Sequence, residues 1–444
     1  MSVQRRLAAA LGANAYGYVT VLLTQIGTVP ILLAAWGPTL FGEWLIVSTI
    51  PAYLMMTDFG LGMVVGNELS LSTARGDKSA AIIAFQSTNV AIFLLGLLVL
   101  LPLTFAITQM PLETLLSLKF ICGSTLSHLI VMLVIQVWLN QFETLIQAGF
   151  RCEGYYAYGT TLSNTLRLIE FLSFTAAVSM GAAPVAAVAC VLITRTVGTI
   201  FIGVLLHFRV PWLKIGFAKV KFNVLRSMAG SGCFFLAFPV SNALNLQTPL
   251  LMIGAVLGPE SVALFSTTRT MTRAVQQLMN IINSAVWPEI SRAFGGEKSG
   301  LLVRLNRTAI KASFWLCVCS VSFLSFAGPT IYGIWTNHAV KLDQSLLELL
   351  LSVMVVNSIW GSASIVLVAT NRHAGLATTC LLVNLILPVA CWGLLGSYGL
   401  HGAAIALLCA EIFIAIYVVR ASLYLVGDTP KELLYFVINP FLTR

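Results

Sequence analysis

The sequence predicts an all-α polytopic membrane protein of about 12 transmembrane helices, built as two parallel-repeat six-helix lobes around a central cavity. Three observations lead there. Only 9% of the 444 residues are charged and 58% are hydrophobic, far from the roughly 25% charged of a soluble domain. Apolar stretches of about 20 residues, enough to cross a bilayer, recur along the chain with short gaps. The halves also match at an offset of 221 residues, the separation of Gly37 from Gly258.

Hydropathy and turn signals place the spans at 14 to 36, 41 to 66, 80 to 108, 121 to 148, 155 to 179, 184 to 208, 228 to 257, 260 to 286, 306 to 334, 345 to 370, 376 to 397 and 401 to 426. The first follows Arg5 and Arg6 but is too long for a signal peptide, so it is read as retained. The domains are then an N-terminal lobe over 1–208, a basic cytoplasmic linker over 209–227 and a C-terminal lobe over 228–444. In the repeat, Gly37–Pro38 falls on Gly258–Pro259 at an outer turn, Glu68 and Ser70 on Glu289 and Ser291, Arg151 and Gly154 on Arg372 and Gly375, and Gly181–Ala183 on Gly402–Ala404. An even number of spans per half makes the repeats parallel.

Net charge is +9, and nearly all the cations fall on one side when the N-terminus is placed inside, the pattern of cytoplasmic loops. This puts both termini in the cytoplasm, makes the charge a topology signal and argues against nucleic-acid binding. The linker mixes cations with bulky apolar residues and reads as a segment along the inner leaflet; an ordinary solvated loop is the plainer reading. Nine cysteines show no CxxC pair or cysteine–histidine cluster, so inert thiols are expected, with no metal and no cofactor.

Charges inside spans cost about 2.5 to 3.5 kcal/mol each on insertion scales and therefore mark function or pairing. Span 8 carries Ser266, Arg269, Arg273, Gln276, Gln277, Asn280 and Ser284 along one stripe. Its two arginines lie roughly 14 and 20 Å along the helix by the ~1.5 Å rise. Two cations a turn apart suit a wet cavity that receives an anion; neutralisation by neighbouring acids is the alternative. Arg269 and Arg273 are the candidate anion clamp, since guanidinium donates two parallel bonds to phosphate. Their repeat positions are Ser48 and Ala52.

Arg167 and Glu170 on span 5 read by default as an intrahelical ion pair, with Arg167 also a candidate cavity contact. Arg195 and Glu411 lie near mid-depth. Glu411, Asp58, Arg195 and Glu170 are the coupling or gating candidates, Glu411 leading among the deep acids because no basic residue lies within a turn. Glu68, Glu143 and Glu289 are expected near the inner boundary, paired with cytoplasmic arginines. Asn242, Asn245 and Gln247 on span 7, with Gln277 and Asn280, are candidate polar contacts for a substrate, or bonds across helices.

The stretch Phe41, Gly42, Glu43, Trp44, then Tyr53, then Asp58, Phe59, Gly60, Leu61 and Gly62 resembles the N-terminal signature of bacterial polysaccharide exporters of the Wzx O-antigen flippase type, in the superfamily that also holds multidrug antiporters and the lipid II flippase. The resemblance implies translocation of an undecaprenyl-pyrophosphate-linked oligosaccharide, an O-antigen unit or similar cell-surface glycan precursor, from the inner to the outer leaflet of the bacterial inner membrane by alternating access. It also implies proton or sodium coupling and glycan polymerases as partners. The residues fitting a cationic cavity are Arg269 and Arg273. The nearest rival is a multidrug or cation antiporter of the same superfamily, for which acids should dominate the cavity. A membrane-embedded glycan polymerase or ligase is the rival from the enzymes, but the outer loops are short and no acid–base cluster or nucleotide motif appears.

Overall fold

The structure is a computed structural model that describes residues 3–58, 60–225, 236–296, 299–370 and 372–439, the side chains of 3–7, 58, 63, 281, 284, 285, 288 and 299 aside. The Arg5, Arg6, Asp58 and Ser284 side chains, Phe59, the end of the predicted linker and the start of predicted span 7 lie outside the described residues. Among the described residues the chain is helical and contains no strand. It forms two compact units, Met1–Val240 and Ser241–Arg444.

In the first unit α1 (Val3–Val47) is kinked at Gly37. The second pass continues through α2 (Thr49–Leu54), a tight turn at Met55–Asp58 and α3 (Leu61–Ala74). α4 (Lys78–Leu95) runs through a π turn at Gly96–Leu100 into α5 (Leu101–Gln109), and α6 (Leu112–Leu115) precedes α7 (Ser124–Cys152), α8 (Tyr156–Ser179) and α9 (Pro184–Arg209). α10 (Ala237–Leu257) starts at the end of the first unit and continues into the second, which also contains α11 (Pro259–Gly295), α12 (Ser299–Trp335), α13 (Gln344–Ala369), α14 (Ala374–Tyr398), α15 (Leu400–Val426) and the short α16 (Pro430–Ile438). Each unit thus makes six membrane-length passes.

Nine of the described segments are long and apolar enough to cross a membrane, the first of them merging α1 with the start of the second pass. α8 and α11 are not among the nine. They carry the deep polar residues, so they need shelter from lipid by the other helices. Large apolar side chains elsewhere stand outward, including Phe326, Met180 and Phe208, as expected where the outer solvent is hydrocarbon. Within the first unit Leu61, Val65 and Leu69 of α3 pack with Phe85, Ile146, Phe150, Ile202 and Leu206; in the second, Ile290, Val366, Ile414 and Val418 form the equivalent core.

The repeat appears first at its turns. Gly37 has φ 70, ψ 175 and Gly258 φ 83, ψ 173. A side chain would be strained in that region, and proline at the next position presets the first helical φ without forfeiting a needed N–H. The offset also holds for the starts of α4 and α12 at Lys78 and Ser299, then fails. Gly154 and Gly181 sit in turns at positive φ, whereas Gly375 and Gly402 lie inside helices and the matching turn uses Gly399. Gly402 instead allows close approach to the Leu394 carbonyl. The later sequence matches are therefore identities without structural equivalence. Predicted span 2 is likewise not one helix: Pro51 cannot donate to the Val47 carbonyl, and Gly60 restarts the helix at φ 71.

Residues 209–225 fold onto the first unit. Gln86 donates to the Lys214 carbonyl at 3.0 Å and accepts from the Lys219 N–H at 2.8 Å, the Lys221 N–H reaches Ser87 Oγ at 3.0 Å, and Leu213 is fully buried. Glu43, fully buried, is the other tie: its carboxylate accepts the N–H groups of Lys119, Phe120 and Ile121 at 2.6 to 3.1 Å. Replacing Glu43 by Ala strands those donors and should cost about 1–3 kcal/mol, read as a lower thermal midpoint in detergent.

α16 is strapped to α12. Arg307 forks onto Asp428, with Nε–Oδ2 at 2.7 Å, and also reaches Glu432, while Lys311 and Trp315 donate to the Asn439 and Val437 carbonyls at 2.7 and 2.9 Å. Those carbonyls end a helix and have no partner within it. Burial pushes the Asp428 carboxyl up, but hydrogen bonds from Arg307 and the Thr429 N–H outweigh it and hold it below the usual range. A depressed folded-state value contributes stability above the unfolded pKa of about 3.9 and loses it as pH falls through the folded one. The difference in thermal midpoint between the native chain and Asp428→Asn should therefore be steady near neutral pH and shrink only below about pH 4.

Candidate functional site

The second unit gathers polar residues along α11. Arg269 is nearly buried and donates to the Leu246 carbonyl at 3.1 Å, the Asn245 carbonyl at 3.0 Å and Asn245 Oδ1 at 2.9 Å. The cause is Pro249. It lacks the N–H that would bond the carbonyl four residues back, which belongs to Asn245, and the guanidinium replaces the missing donor. Asn245 then donates to Asn384 Oδ1 at 3.2 Å, and Asn384 to Ser241 Oγ and the Cys380 carbonyl, both at 2.9 Å. Glu411, also buried, accepts from Asn357 Nδ2 at 3.0 Å and Trp360 Nε1 at 2.6 Å, and Gln276 donates to Asn357 Oδ1 at 2.9 Å. Glu411 and Arg269 feel one another's charge, with Asn245 within reach of both.

Arg273 stands one turn along α11 and differs from Arg269. It is half-buried and bonds to none of the other described residues, and the same holds for Gln277 and Asn280. Gln247 is half-buried and Asn242 exposed, likewise without a side-chain partner among the described residues. The predicted stripe therefore divides: Arg269 and Gln276 tie α11 to α10 and α13, whereas the side chains of Arg273, Gln277 and Asn280 have no hydrogen-bond partner among the described residues. Arg269 does not conform to the expectation of an open anion clamp, because Pro249 has supplied its acceptors.

The first unit holds a different cluster. Arg195 is clamped between two carboxylates, pairing with Glu143 and with Glu170, whose Oε1 and Oε2 lie 2.5 and 2.8 Å from Nε and Nη2. Its Nη1 also reaches Asn140 Oδ1 at 3.2 Å. Ser163 donates to Glu143, and Gln147 to Ser163 Oγ at 2.6 Å. The expected Arg167–Glu170 pair is absent: Arg167 is exposed, and Glu170 turns to Arg195 on α9. Glu143 too departs from expectation, pairing with a mid-helix arginine and not an interfacial one. Glu289 does pair near a helix end, with Arg292 at 3.1 Å.

Sequence reasoning passed over Asn357, Trp360, Asn140 and Ser163, whose partners lie 16 to 81 positions away. Only the rule that a buried polar group needs a partner could have flagged them.

Comparison with known proteins agrees on the fold. A solved multidrug resistance MATE family transporter of the MOP superfamily, in its inward-facing conformation, superimposes with a TM-score of 0.73 at 15% identity, covering 96% of this chain and 99% of that one. A MATE transporter of Vibrio cholerae gives 0.63 at 14% identity over 97% and 98%. The chain therefore has the MATE-like, two-lobed transporter fold. A curated relative named "Putative O-antigen transporter", from Shigella dysenteriae, is 23% identical over 205 residues, 45% of this chain. The chain spans about half the length of that relative, 49%. No family model matches the sequence.

Arg195→Ala strands two buried carboxylates and should cost about 3–5 kcal/mol, part of it recovered when Glu143→Gln and Glu170→Gln are added; thermal melts of the purified chain measure both. Arg269→Ala should lower the melting point by the equivalent of about 1–3 kcal/mol, whereas Arg273→Ala should leave it within about 0.5 kcal/mol of native.

Proposed function

We propose that the protein is a flippase for an anionic lipid-linked oligosaccharide, carried by undecaprenyl pyrophosphate, across a bacterial inner membrane with both termini in the cytoplasm. The observation that carries this reading is Arg273: a half-buried arginine, deep in a helix of membrane-spanning length, with no protein acceptor among the described residues. Such a cation is stabilised by an anionic ligand, and its fork suits pyrophosphate. Gln277, four residues beyond it, and Asn280, three beyond Gln277, follow it along the same helix face and are placed to hydrogen-bond sugar. Arg269 holds α10 beside them and acts as a positioning residue. The O-antigen name of the Shigella relative points the same way.

Ion coupling fits the charge balance. The first unit's buried cluster sets one guanidinium against two carboxylates; the second sets Arg269 and Arg273 against Glu411. At full ionisation the former is one negative charge in excess and the latter one positive. A proton or sodium ion would neutralise the first, as the anionic substrate would the second. Alternating access is consistent with a fold solved elsewhere in inward-facing and outward-facing forms.

The second reading, a multidrug antiporter, is favoured by the names of the solved structures that share the fold. Its usual cationic substrates call for a cavity dominated by acids, whereas the polar cluster of the second unit sets two arginines, Arg269 and Arg273, against the single carboxylate of Glu411 among the described residues.

Reconstituted vesicles decide between the two. Native protein should move a pyrophosphate-linked glycolipid between leaflets, and Arg273→Ala should slow it by about tenfold or more, the equivalent of one lost charged hydrogen bond of about 1.5–3 kcal/mol, with Arg273→Lys in between. Unimpaired movement in Arg273→Ala sinks the assignment. Export of organic cations with no glycolipid movement would favour the antiporter.

A further inference from the structure

A groove of about 780 Å³ opens on the first unit between α7, α9 and the residues after α9. Its walls are Leu139, Phe142 and Ile146 of α7 facing Ile200, Val204 and Phe208 of α9, with Ile215 closing one side. Positions 200, 204 and 208 follow at intervals of four, so they form one continuous helix face. Ile200, Val204 and Phe208 are 63%, 46% and 73% exposed. The charge is not spread evenly. His207 and Lys214 line the groove where α9 ends, and the wall towards Thr199 is uncharged.

Length and polarity together describe an occupant. From Thr199 to Phe208 the helix rises roughly 13 Å, close to the ~15 Å of hydrocarbon in one leaflet. An amphiphile of one leaflet would lay its chain against the apolar wall and its headgroup at the charged end. Neighbouring cations are already committed: Arg209 lies over the Tyr158 ring at 4.7 Å and Lys78 over Trp212 at 5.3 Å. The local acid Glu153 accepts from Trp212 Nε1 at 2.6 Å. Lys214 is exposed, and its ammonium has no partner among the described residues. Its backbone is fixed, since its carbonyl accepts from Gln86 at 3.0 Å. Beyond it, exposed Phe217 and Phe222 flank Lys219 and Lys221, the composition of a segment lying in a headgroup layer.

We propose that this groove is a binding site for an anionic glycerophospholipid, one acyl chain along the α7–α9 wall and the phosphate at Lys214 and His207. The groove is built from residues of the first unit alone, and the proposal does not depend on the transport reading.

Two substitutions address its two ends. Lys214→Ala with His207→Ala removes the charged end from exposed positions. Gly203→Leu plugs the wall; a Cβ there meets only Ile146 Cδ1 at an ordinary 3.5 Å. The full chain in phosphatidylcholine nanodiscs is titrated with phosphatidylglycerol, and retained lipid is counted by native mass spectrometry. The native chain should retain phosphatidylglycerol over phosphatidylcholine, the charge variant should lose about fivefold of that preference, and Gly203→Leu should retain less of both lipids. If Gly203→Leu fails to fold, the charge variant decides alone. Equal retention in the native chain and the charge variant overturns the proposal, as does displacement of phosphatidylglycerol by an equal or lower concentration of polyprenyl phosphate.

Discussion

Inside a hydrocarbon layer no water completes a broken hydrogen bond, so each buried donor, acceptor and charge must find its partner in the protein or in a ligand. Pro249 shows how far this reaches. Its ring removes one N–H from α10, the Asn245 carbonyl is left over, and Arg269 is drawn from α11 to fill the place. The side chain of Asn245 follows to the same guanidinium, and through Asn384 the network extends to α14 and back to Ser241. One missing donor thus helps to set the packing of three helices. Lysine could not do the same work: a planar fork reaches two carbonyls and an amide at once, where an ammonium is a point charge.

The same constraint sorts the charges into those consumed by the fold and those without a partner among the described residues. Arg195 is consumed by two carboxylates, Arg307 by Asp428 and Glu432, Arg269 by α10. Glu43 is consumed by three backbone N–H groups, in place of a cation. Arg273 is not consumed by any described residue. Its position beside Arg269 also explains why it is costly: the neighbouring guanidinium already raises the local potential, and a second cation a turn away adds to it. A site with that potential favours an anion over a cation before any specific contact is made.

Much of this was legible in the sequence, because hydropathy and turn chemistry are local. Gly37–Pro38 and Gly258–Pro259 announced two matching reversals, and both glycines adopt positive φ. The concentration of polar residues on α8 and α11 marked the helices that lipid cannot surround. What stayed hidden was pairing, which depends on which faces of distant helices meet. Arg167 and Glu170 are three residues apart, and their spacing suggested a pair; the packing of α8 against α9 gives Glu170 to Arg195 and leaves Arg167 exposed. Glu43 belonged to a recognisable motif, yet its work, gathering the loop before α7, involves donors more than 70 positions away. The repeat offset held only while the loops of the two halves had equal length. Beyond α12 it matched residues that merely share identity.

The two halves therefore share a frame and not a polar interior. Their common features are the glycine–proline reversals and the count of passes, which follow from the demands of crossing a bilayer six times. Their differences lie in what each half must neutralise. Ser48 and Ala52, the repeat counterparts of Arg269 and Arg273, fall where the second pass is broken by Pro51, and the Ser48 hydroxyl there donates locally, to the Leu45 carbonyl at 2.8 Å. The first half leaves its helix broken and its buried cation, Arg195, enclosed by acids. The second keeps α11 continuous for 37 residues, and that continuity places Arg269 and Arg273 on one rigid rod, so the bonds that anchor the first arginine also fix where the second presents its guanidinium.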